Sequence, residues 1–456
     1  MFHDALVPFA ERRIIKMDKV VLYGCGVYLK ETFRRLSQEK EVVAIIDSDD
    51  KKQGLSFMGY TIMSPNDLRD IIYDKICITS FMYYTQIKEY LINKLDIPLE
   101  KIMYIGEIDN KAFDIFMKKF LCEKRKIEEQ NKILRQMVID DKLKKFVDNN
   151  KLVKIEKESK EKDEISDYWT SHTVHDDWFI DKEESIKSCE ERYKMYPFFR
   201  EFMEMDRIHE KEVILDYGCG PGHDIVCFGS NCKVKQIIGM DVSESALNNT
   251  QFRLALHNIS NARLILIDEG KVRIPLGDNS VDFINCGGVL MHTSNPQEII
   301  QEFYRVLKKN SSEKSKLNIM VYNRDSIWYH LYAAYYLRFI DQTMFVGKKN
   351  ISEMNVNEIF TMSTDGIDCP RVLCWEHNEF SDMIKKAGFK KVEYKGGYVS
   401  RIEIEMVREY LDKAINDSRL EDEHKKFLKK VRLDKNGYPR INDVLCCIGG
   451  SYLCYL

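Results

Sequence analysis

The ten residues Val213-Ile214-Leu215-Asp216-Tyr217-Gly218-Cys219-Gly220-Pro221-Gly222 constrain this chain more than any other segment. Three apolar residues in a row read as a buried parallel strand. An acid stands at its carboxyl end, and a glycine-rich turn follows that brings a ligand against bare backbone. A second strand, Gln236-Ile237-Ile238-Gly239-Met240-Asp241, ends in another acid. It comes about 20 residues on, the spacing at which α/β folds set a carboxylate on a ribose. The pattern is not that of a dinucleotide site, because Asp216 precedes the glycines and Gly-Cys-Gly-Pro-Gly is not the phosphate-cradling G-x-G-x-x-G. A nucleoside without a pyrophosphate fits it better.

The order continues downstream. Leu264-Ile265-Leu266-Ile267-Asp268-Glu269 is a third strand ending in acids, and Ile274 to Ser280 is a turn before a fourth, Val281-Asp282-Phe283-Ile284-Asn285-Cys286. After Gly287-Gly288-Val289-Leu290-Met291-His292, a helix starts at Thr293-Ser294-Asn295-Pro296, with Ile299, Ile300, Phe303, Val306 and Leu307 at helical spacing. Four motifs in this order resemble the class I S-adenosylmethionine (SAM)-dependent methyltransferases. The resemblance implies an α/β, Rossmann-like fold and SAM as cofactor. Gly218, Gly220 and Gly222 would let the backbone approach its methionine part, Asp241 would accept from the ribose hydroxyls, and Asp268 or Glu269 would lie near the adenine amino group. Asp216 would orient the turn and the sulfonium side, or serve only as a structural cap.

The acceptor side offers candidates of a different kind. His292 has the ordinary pKa of a general base, although a histidine at this place also occurs as packing beside the cofactor. His172 and His175 precede the first strand, where this fold puts a lid, and either is a candidate substrate ligand. Tyr168, Trp169, Trp178 and Phe179 would close that lid or simply pack an N-terminal helix. Asn323 and Trp328 follow a later strand, Lys316 to Tyr322, and Asp365 lies in the polar turn Thr364-Asp365-Gly366. These three are expected at the acceptor, with the aromatic insertion Trp328, Tyr329, Tyr332, Tyr335, Tyr336 and Phe339 setting acceptor choice. The segments Tyr168-Trp169, His172-Thr173-Val174-His175, Met320-Val321-Tyr322-Asn323 and Asp368-Cys369-Pro370 resemble one bacterial subgroup from about Asp167 onward. Where that subgroup often has paired histidines, this chain has Met291-His292.

At 456 residues the chain exceeds one ordinary core. A small unit from residue 17 to 108 opens with Val20-Val21-Leu22-Tyr23-Gly24-Cys25-Gly26 and continues through Val42 to Asp47 and Lys75 to Ser80. With Lys52-Gln53-Gly54 and Gly59-Tyr60, it resembles the small Rossmann-like domains attached to bacterial polysaccharide-modifying enzymes. Leu29 stands where a dinucleotide site has its third glycine, which argues against NAD. Residues 109–166 read as a charged helical connector with mixed signs. Residues 167–456 read as the methyltransferase domain with an acceptor-side insertion.

A net charge of −3 gives no support for a general nucleic-acid binder. No apolar run is long enough to span a bilayer, and the N-terminus lacks a secretory pattern, so a cytoplasmic location is expected. Thirteen scattered cysteines without a C-x-x-C pair read as reduced thiols, with no metal site. The reading as a whole is transfer of the SAM methyl to a small polar acceptor, a sugar or glycan hydroxyl. The rivals are a natural-product or lipid methyltransferase, a non-catalytic SAM-binding regulatory protein and, third, an NAD oxidoreductase. Oligomeric state is left open.

Overall fold

The computed structural model describes residues 17–80, 83–105, 122–157, 164–174, 177–196, 198–203, 212–231, 233–309, 316–348 and 350–456. His175, the beginning of the connector and most of its charge run lie outside them. The chain divides into two units, Met1–Glu129 with Phe339–Ser352, and Gln130–Arg338 with Glu353–Leu456.

The first unit is a six-stranded sheet. Its strands are β1 (Lys19–Tyr23), β2 (Glu41–Ile46), β3 (Ser56–Phe57), β4 (Tyr60–Met63), β5 (Lys75–Ile78) and β6 (Ile102–Tyr104), in the order β3-β4-β2-β1-β5-β6. All neighbours are parallel except β3 and β4. That hairpin is absent from the sequence reading. It turns at Met58 and Gly59, both at positive φ, a two-residue turn of the kind that joins tightly paired strands. Helix Val27–Glu39 buries Leu29, Phe33 and Leu36, its apolar stripe at helical spacing. The segment 339–352 extends the unit at its edge, where Gln342 N–H donates to Ser56 O at 2.7 Å and Ser56 N–H donates back to Gln342 Oε1 at 3.0 Å. The aromatic insertion thus ends inside the first unit.

The second unit carries an eight-stranded sheet. Its strands are β7 (Ile155–Lys157), β8 (Val213–Tyr217), β9 (Gln236–Asp241), β10 (Ala262–Leu266), β11 (Phe283–Gly287), β12 (Lys316–Tyr322), β13 (Lys391–Tyr394) and, after a small three-stranded sheet (β14, Arg432–Leu433; β15, Pro439–Ile441; β16, Val444–Leu445), β17 (Gly449–Tyr455). The order is β13-β17-β12-β11-β8-β9-β10-β7, with β17 antiparallel to both its neighbours. The sheet reverses direction of travel at β8, the first strand laid down in its centre. At such a switch point the carboxyl ends of the strands open a crevice. β8 is buried along its whole length, as a central parallel strand covered on both faces must be.

Helix Cys122–Asp148 leads into this unit. Arg135 binds Trp178 O and the Glu184 carboxylate at 2.9 and 2.7 Å, and Phe146 meets Phe252 with ring centroids 5.6 Å apart. Part of the expected connector is therefore packed structure. Its Glu156 sits on the edge strand β7 and forks onto Arg263 of β10 at 2.8 and 2.6 Å, which holds the Glu156 carboxyl below its usual range. Charged side chains on an edge strand also discourage pairing with another chain.

Candidate active site

The glycine turn leaves β8 at the switch point and enters helix His223–Asn231. Gly218 has φ +73°, and a methyl group added there would lie 2.1 Å from Val289 Cγ2. Only glycine satisfies both the backbone and the space. Gly220, at φ +52°, has nothing within 4 Å of its missing side chain, so its bare backbone faces open room. Gly222 packs against Thr250 instead, and helps hold the turn against helix Glu244–Leu256. Ser243 caps that helix by accepting from Ala246 N–H at 3.2 Å.

A cavity of about 250 Å³ lies over the turn and brings together Asp216, Gly218, Gly220, Asp241, Glu269, His292 and Asp365. Asp241 ends β9, where its two oxygens accept from Gly220 and Ser243 N–H, each at 2.8 Å. Burial raises its pKa, opposed by the N–H groups of Ser243, Gly220 and Val242. The carboxylate, with about four acceptor lone-pair sites, keeps room for a further donor beside those three N–H groups. Asp216 is 2% exposed. Asn285 donates to its Oδ1 at 2.8 Å, while Oδ2 is buried without a partner. Burial, and after it the nearby Asp224 charge, push the Asp216 carboxyl well above the usual range. A cationic group placed at Oδ2 would satisfy the orphaned atom and reverse that shift. Asn318 fixes Asn285 from behind, donating to its Oδ1 at 2.9 Å.

The opposite wall is built from β12, the turn Leu290–His292 and the segment around Asp365. His292 Nδ1 lies 2.8 Å from Arg371 O, and its Nε2 lies 3.7 Å from Asp365 Oδ2. A carbonyl only accepts, so the proton of the neutral ring sits on Nδ1 and Nε2 carries the lone pair, beside Asp365 in the cavity lining. Burial lowers the His292 pKa, with Asp365 and the Arg371 carbonyl opposing. The Tyr322 hydroxyl donates to the Asp365 carboxylate at 2.8 and 3.0 Å, and the Tyr168 hydroxyl donates to Asp365 O at 2.5 Å. Trp169 meets His292 edge-on at 4.7 Å.

Several candidates from the sequence fall elsewhere. Asp268 is buried but does not line the cavity, whereas Glu269 does, accepting from Ser294 N–H at 2.5 Å. His172 is exposed and stacked on Tyr168 at 4.2 Å. Asn323 is spent on Asp325 O and Tyr394 Oη, each at 2.9 Å, and Trp328 Nε1 donates to Ser363 Oγ at 3.1 Å in the core. The aromatic insertion, expected around the acceptor, does not line this cavity. Trp328 begins a π-wound helix, Trp328–Ile340, whose rings are largely buried among themselves and their neighbours, and none of them lines the cavity. Arg192, His223 and Asp224 line it without having been expected there. Arg192 pairs with Asp224, a partner 32 residues away that helical spacing alone does not reveal.

Residues 208–312 match the family model of a methyltransferase domain, and residues 16–103 match the model described as C2185-like, N-terminal. The match spans the glycine turn and the acids of β8 to β11. The second unit contains a class I methyltransferase domain. SAM is the cofactor of that family, and the turn open at Gly220, the remaining acceptor capacity of Asp241 and the Asp216 Oδ2 without a partner among the described residues fit it. This chain is 28% identical over 129 residues to an uncharacterized methyltransferase of Schizosaccharomyces pombe, covering 26% of this chain and 45% of that protein. It is 26% identical over 113 residues to a demethylmenaquinone methyltransferase of Listeria monocytogenes, covering 24% and 46%. The chain thus spans less than half the length of these curated relatives. Among solved structures, a SAM-dependent methyltransferase from Archaeoglobus fulgidus aligns at 13% identity and a TM-score of 0.35, over 64% of this chain and 99% of that one. One from Aquifex aeolicus aligns at 17% and 0.32, over 48% and 93%. No helix among the described residues is long and apolar enough to cross a membrane.

Proposed function

We propose that this protein transfers a methyl group from SAM to a small polar acceptor, with a sugar or glycan hydroxyl as the acceptor class. The observation that carries the reading is one continuous cavity with the glycine turn, Asp216 and Asp241 on one wall and the His292–Asp365–Tyr322 cluster on the other. SAM supplies an already activated methyl group, so the protein's part is alignment, exclusion of water and removal of a proton. Asp241 would hold the ribose, Glu269 would lie toward the adenine, and Asp216 would face the positive methionine portion. His292 Nε2 would accept the proton of the attacking hydroxyl, with Nδ1 anchored on Arg371 O. Asp365, fixed by Tyr322 and Tyr168, would take a neighbouring hydroxyl or steady the charged imidazole. Trp169, of helix Glu164–Ser171, would shield the reaction from water.

The wall also presents Ile165, Val174 and Met320. With the similarity to the demethylmenaquinone methyltransferase of Listeria, this favours a lipid or natural-product acceptor as the second reading. Incubation with methyl-labelled SAM and separate pools of soluble glycans and extracted lipids, followed by mass spectrometry, distinguishes the two. Label in neither pool, with SAM still bound in calorimetry, would support the non-catalytic alternative.

A further inference from the structure

The wall opposite the glycine turn holds two hydrogen-bond acceptors side by side with no proton between them. His292 is 5% exposed, and its Nδ1–H is committed to Arg371 O at 2.8 Å. Its Nε2 carries the lone pair and makes no hydrogen bond among the described residues. Asp365 Oδ2 lies 3.7 Å from that nitrogen, too far for a hydrogen bond, and an ionised carboxylate has no proton to give.

Asp365 is short of donors as well. One O–H, that of Tyr322, is shared between its two oxygens at 2.8 and 3.0 Å. Its side chain is 12% exposed, and no lysine or arginine among the described residues pairs with it. Burial, and after it the Asp365 charge, hold the Tyr322 hydroxyl well above its usual range, so it stays a neutral donor. The nearby Cys369 thiol is pushed up to about 11, again by burial first, and supplies no charge at neutral pH.

The same imbalance runs across the cavity. Among the described residues its lining carries five carboxyl groups, Asp216, Asp224, Asp241, Glu269 and Asp365, against one guanidinium, Arg192. That guanidinium is already paired with Asp224. In the proposed site the positive methionine portion of SAM belongs to Asp216, which leaves Asp365 to the acceptor. A cleft lined by one sign of charge concentrates ligands of the opposite sign and repels those of its own.

We propose that the acceptor is an amino sugar, whose free ammonium is bound by Asp365 beside the hydroxyl that is methylated. The assignment rests on the proposed sugar-hydroxyl acceptor and names its class. The ammonium donates to Asp365 Oδ2, while the hydroxyl on the neighbouring carbon donates to His292 Nε2. The hydroxyl oxygen bonds to the methyl carbon as the carbon–sulfur bond breaks, the electron pair stays on sulfur, and the hydroxyl proton passes to Nε2. The carboxylate beside the ammonium favours its charged form, so the nitrogen has no lone pair and is not methylated. An anionic sugar is repelled by Asp365 and lacks the donor that the two acceptors require. An N-acetylated sugar leaves the buried carboxylate without a counter-charge.

The test uses the full chain, methyl-labelled SAM and a pool of soluble glycans, taken untreated and after selective N-acetylation with acetic anhydride. Label is expected in the untreated pool, in products that bind a cation exchanger at neutral pH. It is expected to fall by about tenfold or more after acetylation. Fragmentation of the labelled product is expected to place the methyl group on oxygen, next to a primary amine. Asp365→Asn keeps an oxygen for the Tyr322 hydroxyl and removes the charge. In this variant the ratio of label between untreated and acetylated pools is expected to fall toward one, with the SAM dissociation constant unchanged in calorimetry. Label that survives acetylation in the wild type, or products held by an anion exchanger, would overturn the ammonium. A methyl group on nitrogen would overturn the division of roles between Asp365 and His292. A variant that keeps the full preference would remove Asp365 from the acceptor site, and if it does not fold, the wild-type comparison decides alone. No label in the untreated glycan pool is a different failure, that of the sugar acceptor in the proposed function itself.

Discussion

Each unit places an acid at the end of the strand that follows its glycine turn, yet the two acids are committed differently. Asp241 receives backbone N–H groups, Gly220 and Ser243 at 2.8 Å each, and lines the cavity. Asp47 receives Cys25 N–H at 2.7 Å and Asp49 N–H at 2.9 Å, and is then covered by Lys52 Nζ at 3.2 Å. The same grammar of strand, glycines and acid therefore gives a cavity-lining carboxylate in one unit and an internally neutralised one in the other. What separates them is a lysine five residues after Asp47, on a loop that folds back over it.

The largest test of that contrast lies in the turns. Gly218→Ala forces a positive φ and a clash with Val289, and is expected to destabilise the second unit by about 2–4 kcal/mol. Gly26→Ala in the first unit, at φ −110° with nothing within 4 Å, is expected to be nearly neutral. Denaturant midpoints of both variants check this.

Acid separates the units next. Buried His257 and His330 have folded pKa values lowered to about 4 and about 3, by burial first and then by nearby positive groups. For a depressed histidine, stability is fully present above the unfolded value of about 6.5 and is lost as pH falls toward the folded value. The second unit should therefore lose on the order of a few kcal/mol between about pH 6.5 and 4. The described part of the first unit contains no histidine and escapes this loss. All four tryptophans belong to the second unit, so their fluorescence reports its unfolding, and hydrogen exchange reports the first.

Exchanging the acids comes third. Asp241→Ala is expected to weaken SAM binding by about 1.5–3 kcal/mol, whereas Asp47→Ala should leave SAM affinity unchanged. Equal calorimetric results for the two would erase the distinction. The smallest effect is expected for Lys52→Met, below about 1 kcal/mol in stability, because the pair is partly hydrated. Thermal melts of the first unit suffice to measure it.

The methyltransferase core was legible because β8 to β11 follow one another with a short, local code: an apolar run, an acid, and a turn. β17 was not. It opens with Gly449-Gly450, weak strand formers, and its place between β12 and β13 is set by pairing with residues 58 or more positions away. Asp365 was legible as a polar turn, but its union with Tyr322 and His292 was not, since those side chains come from three separate segments. The aromatic insertion misled for a simple reason. Aromatic content marks burial as readily as binding, and only packing decides between them.

By itself the sequence determined that this chain builds two α/β units and that one carries the glycine turn of a methyltransferase domain, because backbone conformation at glycine and strand burial are local consequences of composition. Tertiary structure alone decided which acids line the cavity, that residues 339–352 complete the first unit, and that Asp365 stands beside His292. Those outcomes depend on distances between segments far apart in the chain, and no local pattern encodes them.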